Sequence, residues 1–269
     1  MPSRTSPENL LASAALAVIL ALSAGGCSNI GVRETTGSVS AADTAALGSD
    51  ESRRSLETLG DRYRQNPNDA DAAIAYARAL RATDQRAQAV AVLEQASIRN
   101  PRNMALLGAY GRALADVGQY QQALMTLERA HTPDNPDWRV LNVQGAVLDQ
   151  MGRHAEAQRY YASALKIMPN EASVLSNLGM SYMLTKDLKN AEATLRRATA
   201  QPNAGPRVRQ NLALVVGLLG RFDEAEKIAS ADLPESEAAA NVAYLRQMLA
   251  QKGDWKKMGR AYATPDAGS

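Results

Sequence analysis

Few residues in this chain can do chemistry, and their scarcity narrows what that chemistry is. Its 269 residues include one cysteine, Cys27, and two histidines, His131 and His154. Three such ligands cannot build a zinc site of the usual four, and a single thiol cannot close an intramolecular disulfide. Neither histidine has a serine, cysteine or carboxylate at a spacing that recurs in nucleophilic triads. Acidic neighbours such as Asp223 and Glu224 project in different directions from a helix and make a poor acid/base couple. No Gly-rich phosphate loop follows a strand. An enzyme is therefore the weak reading, with no catalytic residue, metal, cofactor or small-molecule substrate expected. Thirty Lys and Arg against 28 Asp and Glu, without a basic block, give no nucleic-acid footprint. What remains is the thiol of Cys27.

The elements around that thiol define its chemistry. Residues 10–22 form an apolar run of about 13 residues, roughly 20 Å as a helix. That falls short of a hydrocarbon core of about 30 Å and has the size of a signal-peptide apolar region. Ala24, Gly25 and Gly26 directly before Cys27 resemble a bacterial lipobox, in which the thiol is alkylated with diacylglycerol and the chain is cut before the cysteine. Residues 1–26 then read as a lipoprotein signal peptide, with a cleaved soluble precursor or an uncleaved anchor as the alternatives. Ser28, a residue other than Asp, resembles the signal for transfer to the outer membrane. The resemblance implies a membrane anchor through lipid on Cys27, since several acyl chains together hold stably where one is marginal. Residues 27–51 are Ser, Thr, Gly, Ala and Asp with few large apolar side chains, the composition of a flexible tether.

The rest is periodic. Ala89, Ala123, Ala157, Ala191 and Ala225 recur every 34 residues. Leu93, Leu127, Tyr161 and Leu195 keep the same step, as do Ala96, Ala130, Ala164 and Ala198. Ala77, Gly111, Gly145, Gly179 and Ala213 form an earlier column, and Asp84, Gly118, Gly152, Lys186 and Gly220 a column of turn residues. A 34-residue unit of two helices is the signature of the tetratricopeptide repeat. The fold expected is all-α, a right-handed superhelical solenoid of antiparallel helix pairs. Five units cover residues 68–233, framed as 70–103, 104–137, 138–171, 172–205 and 206–233. A capping helix precedes them at 52–67, and residues 234–269 form a C-terminal cap with one helix over 235–251 and a short one around Trp255. Within each unit the small residues let helix A approach helix B, so Gly145 is expected to face Ala157 and Gly179 to face Ala191. His154 falls in a bulky packing column, and His131 at the end of the second B helix, where a cation complements the helix dipole.

Arrays of this kind commonly hold a peptide or helix on their concave face. The family's groove positions on helix A, carried onto this frame, give Ile74, Arg78 and Arg81 in the first unit and Arg112 and Asp116 in the second. The third supplies Arg139, Asn142 and Asp149, the fourth Met180, Met183 and Leu184, and the fifth Leu214 and Leu218. The groove would thus run from cationic to apolar. Arginine forks suit carboxylates and methionines adapt to varied apolar shapes, so the expected partner is a protein segment with an acidic or carboxylate end and a hydrophobic end. Equally, Met180, Leu184, Leu214 and Leu218 would simply pack between units.

Residues 211–230, from Asn211-Leu-Ala-Leu through Gly220-Arg-Phe-Asp-Glu-Ala, and residues 238–249 resemble the TadD family of Flp pilus assembly proteins. That resemblance implies a lipoprotein of the Tad secretion machine that acts like a pilotin, on the periplasmic side of the outer membrane, with the secretin or another pilus component as partner. A periplasmic adaptor for other envelope or peptidoglycan proteins is the alternative.

Overall fold

The computed structural model describes residues 41–262, with side chains over 52–251. The signal segment, Cys27 and residues 27–40 of the expected tether lie outside the described residues. Among the described residues the chain forms twelve helices and no strand beyond an isolated bridge between Thr132 and Asn135. The first, α1, is Ala41–Gln65. Five pairs follow: α2 (Ala70–Ala82) with α3 (Arg86–Arg99), α4 (Met104–Asp116) with α5 (Tyr120–Glu128), and α6 (Trp138–Gln150) with α7 (His154–Ile167). Then come α8 (Ala172–Leu184) with α9 (Leu188–Thr199), α10 (Pro206–Leu218) with α11 (Phe222–Ala229), and last α12, Glu235–Tyr262.

Each first helix of a pair, here helix A, starts 34 residues after the one before, and so does each helix B. Local chemistry sets these starts. Asp69, Asn103, Asp137 and Glu171 stand one residue before their helices, and each side chain accepts a hydrogen bond from a first-turn N–H. That satisfies donors the helix itself cannot. The fifth pair uses Gly205 followed by Pro206, whose fixed φ suits the first helical position. Between A and B the chain turns through one left-handed residue per unit, Asp84, Gly118, Gly152, Lys186 or Gly220, with φ between 61° and 85°.

Packing repeats on the same step. The five in-frame alanines, Ala89 to Ala225, are all fully buried, because they lie where helix B backs onto helix A. Opposite them, the missing side chains of the helix A glycines are filled by a larger residue one turn further along B. A Cβ at Gly111 would lie 2.5 Å from Leu127 Cγ, one at Gly179 2.6 Å from Leu195 Cγ, and one at Gly145 2.5 Å from Tyr161 Cε1. At Gly145 the nearest atoms are those of the Tyr161 ring, while Gly179 meets both Leu195 and, as expected, Ala191, through its carbonyl at 3.3 Å. The apolar core has one large cluster from the first unit to Val174 and Leu178, a second built on Met183, Leu195, Leu212, Val215 and Val242, and two smaller ones around Leu175 and Ala238.

The ends depart from expectation. Helix α1 begins at Ala41, so residues 41–51 are helical where the sequence suggested tether. Ala41, Ala42, Ala45, Ala46 and Leu47 are strong helix formers that need no buried partner, and they run on into the capping segment. At the other end α12 is one helix of 28 residues instead of two, since Gly253 alone weakens a helix without breaking it and no proline intervenes before Pro265.

Candidate peptide-binding groove

The backbones of successive A helices approach one another, whereas successive B helices stand further apart and meet only through long side chains such as Arg196 of α9 and Glu224 of α11. The A row therefore lies on the inner side of the curve, and its outward side chains line the concave face. Arrays of this architecture use such a face as an extended binding surface for protein segments.

The first two units present cations there. Arg81 of α2 pairs through Nε with the Asp116 carboxylate of α4, with both side chains partly open. Arg78 and Arg112 are exposed and have no hydrogen-bond or ion-pair partner among the described residues. The protein bulk around Arg112, and then the charge of Arg81, lower its pKa from the ordinary arginine value, with Arg78 adding to the effect and Asp116 opposing it. Ile74 is half-buried against the core. In the third unit Arg139 is exposed and stacks over Trp138, 4.5 Å from the ring centroid.

Three expected groove residues are not available to a ligand. Asn142 is buried, and its side-chain oxygen accepts a 3.0 Å hydrogen bond from Asn177 Nδ2 of α8. Met183 is buried in the second core cluster together with Ala191 and Leu195 of its own helix B. Asp149 has a side chain only 8% exposed because it is the acceptor for three neighbours: His154 Nδ1 at 2.9 Å, Tyr161 Oη at 3.0 Å and Ser181 Oγ at 2.8 Å. Burial, then the Asp149 charge, push the Tyr161 hydroxyl far above its usual pKa, so it stays a donor. The apolar remainder of the row, Met180, Leu184, Leu214 and Leu218, is half-buried at the margin of the second cluster.

The histidines acquire partners that their columns did not foretell. His154 opens α7 and turns back to Asp149. His131 lies three residues beyond the end of α5 and points inward, its Nε2 3.2 Å from Gln144 Oε1, so it does not complement the dipole of α5. Ser181, Asp149 and His154 thus converge, but the serine donates to the carboxylate rather than to the imidazole and is itself fully buried. That is a structural hub, without the nucleophile-to-base contact of a triad. No group of metal-binding side chains occurs among the described residues, and no described helix is long and apolar enough to cross a membrane.

The sequence reading missed the polar pairs that tie consecutive A helices. Arg81–Asp116, Asn142–Asn177 and Ser176–Asn211 (2.9 Å) are each 35 residues apart, one more than the repeat. In these three a side chain on one A helix reaches the residue just past its own equivalent on the next, so a search for polar pairs at 35 would have found them, whereas Asp149–Ser181, joining α6 to α8 at a separation of 32, falls outside that search.

Residues 52–130 match the family described as anaphase-promoting complex, cyclosome, subunit 3, and residues 150–215 match the tetratricopeptide repeat. No curated protein matches the chain significantly. Among solved structures, PilW, described as a widely conserved type IV pilus biogenesis factor, superimposes with a TM-score of 0.63 at 17% identity, covering 74% of this chain and 94% of PilW. PilF of Pseudomonas aeruginosa gives 0.54 at 20% identity, covering 69% and 84%. A thermophilic repeat protein of Thermus thermophilus, TTC0263, gives 0.58 at 21% identity, covering 66% and 100%. Over the described residues the chain is an all-α solenoid of helix pairs, of which residues 150–215 match the tetratricopeptide repeat.

Proposed function

We propose that this chain is a non-enzymatic scaffold lipoprotein of Tad/Flp pilus assembly, which supports outer-membrane secretin assembly in the manner of a pilotin by holding a segment of its partner in the concave groove. The observation that carries the binding role is the A row itself, with unpaired arginines in the first two units and half-buried Met180, Leu184, Leu214 and Leu218 in the last two. The pilus assignment is supported by the resemblance of residues 211–249 to the TadD family. PilW shows that a pilus biogenesis factor uses this architecture. Lipid on Cys27 would hold the array at the periplasmic face of the outer membrane.

The test is affinity capture of the full-length protein from solubilised envelopes, read by mass spectrometry, beside an Arg112→Glu/Met180→Lys variant. Recovery of a secretin or pilus component by the parent and its loss from the variant is the expected result. Recovery of cell-wall enzymes instead would replace the pilus reading with the envelope-adaptor one. A Cys27→Ser chain should lose labelling by a fatty-acid analogue; retained label would remove the anchor.

A further inference from the structure

Every A helix of the five pairs carries a helix B. α12 takes the place of a sixth A helix, since it packs on α10 and α11 and buries Ala238, Val242 and Leu245; a Cβ at Gly217 would lie 2.5 Å from Leu245 Cδ2. Among the described residues no helix B follows it. Tyr244 is 42% exposed, Met248 and Leu249 are half-buried, and Ala250 is exposed. This leaves an apolar edge at the end of the array, where a solenoid needs a polar face.

The sequence beyond that edge spells what is missing. Gly118-Gln119-Tyr120, Gly152-Arg153-His154 and Gly220-Arg221-Phe222 each place a left-handed glycine, a polar residue and then the large side chain that opens a helix B. Gly253-Asp254-Trp255 repeats that order 33 residues after the last of them, and its aspartate stands where Asp187 caps α9. Counting on from Trp255 as from Phe222, Met258 and Tyr262 fall at the stations of the buried Ala225 and Ala229, and Lys256 and Arg260 at those of the exposed Asp223 and Lys227. The result is an apolar and a charged face at helical spacing.

We infer that residues 255–262 are the helix B of a sixth unit: Gly253 is a hinge, at which the straight α12 breaks so that this segment folds back over Tyr244, Met248 and Leu249. Glycine enters the left-handed turn conformation without the penalty that other residues meet, and it is also a weak point of the straight helix. The closed form hides the apolar edge and ends the array on Lys256, Lys257 and Arg260.

Cysteine cross-linking of the full-length, detergent-solubilised protein tests this, with the parent, whose only cysteine is Cys27, as the control. Gly145 and Tyr161, which meet, stand seven residues before and nine after Gly152; the matching pair about Gly253 is Arg246 and Tyr262. In the straight helix their Cα atoms are about 24 Å apart, far beyond the ~7 Å reach of a disulfide. An Arg246→Cys/Tyr262→Cys chain treated with a mild oxidant should form an intramolecular disulfide, seen as a faster-running monomer in gels without reductant. Gly253→Ala should slow its formation roughly tenfold by favouring the straight helix over the turn. Absence of the intramolecular disulfide, or its formation at the same rate with Gly253→Ala, overturns the inference; a disulfide between chains overturns it in favour of a second copy on the edge. Hydrogen exchange of the unsubstituted protein gives an independent reading: fast amides at 253–255 followed by slower ones at 258–262 are expected, and protection that falls steadily from 250 to 262 overturns the hinge.

Discussion

Gly145→Ala adds one methyl group where α6 comes closest to α7. The new Cβ would lie 2.5 Å from Tyr161 Cε1 and 2.8 Å from its Cδ1 and Cζ, against roughly 3.5–4 Å for carbons in comfortable contact. The ring has nowhere to go: Tyr161 is 1% exposed, and its hydroxyl is tied to Asp149. Overpacking of this kind costs about 1–3 kcal/mol, and the better helix propensity of alanine returns about 1 kcal/mol. The net expected loss is about 1 kcal/mol. Gly108, on α4, supplies the control. A Cβ there meets Val140 Cγ2 at 3.4 Å and Ala130 Cβ at 3.9 Å, so the propensity gain dominates and Gly108→Ala should stabilise by about 0.5–1 kcal/mol. One chemical change thus has opposite signs at two glycines of adjacent A helices. Urea unfolding followed by circular dichroism measures both midpoints. Because repeat arrays need not unfold as one unit, hydrogen exchange of the α6 and α7 amides locates the effect. A Gly145→Ala midpoint at or above that of the parent would refute the close approach of α6 to Tyr161.

Lys186 is a non-glycine residue at φ 65°, so Lys186→Gly should stabilise the fold by about 0.5–1 kcal/mol and raise the unfolding midpoint, whereas Asp84→Gly gains less because aspartate tolerates that conformation better. Asp149→Ala leaves the hydroxyls of Tyr161 and Ser181 without their acceptor and should cost about 2–4 kcal/mol; Asp149→Asn keeps an acceptor oxygen and should cost less, which a urea titration of the two variants compares. Hydrogen bonds from Arg209 at 2.5 and 2.7 Å hold the Asp232 carboxyl below the usual carboxylate range. Its folded pKa is therefore lower than its unfolded one, so the pair stabilises fully above the unfolded value, about 4, and that contribution fades as pH falls through the folded value. Thermal melts of Asp232→Asn should lie below the parent at neutral pH and converge with it in acid.

The fold was legible because every unit solves the same packing problem with the same residues. The alanines that let B back onto A, the caps that start each A helix and the left-handed turn residue all recur at 34, so a column reading finds them together. The groove was legible only in part. Whether a helix A side chain faces inward depends on what the next unit puts beside it, and that information is specific to each junction. Asn142 and Asp149 look free in their columns but are captured by Asn177 and Ser181 of α8, and Met183 is drawn into a core that its position does not announce. The termini escaped for a different reason: α1 and α12 run on past the frame that the 34-residue pattern encodes.

The polar pairs between A helices carry a meaning that the alanine columns lack. On alanine alone the units would be interchangeable, and any could follow any other. The pairs act as keyed joints. Excision of residues 138–171 would bring α8 beside α4 with every cap and turn still in frame, yet Asn177 would then look for its partner at Gly108 and Ser181 at Ala115. Neither can accept a side-chain hydrogen bond. The solenoid is thus uniform in how it folds and individual in how it is ordered, and that order keeps the arginine end and the leucine end of the row a fixed distance apart.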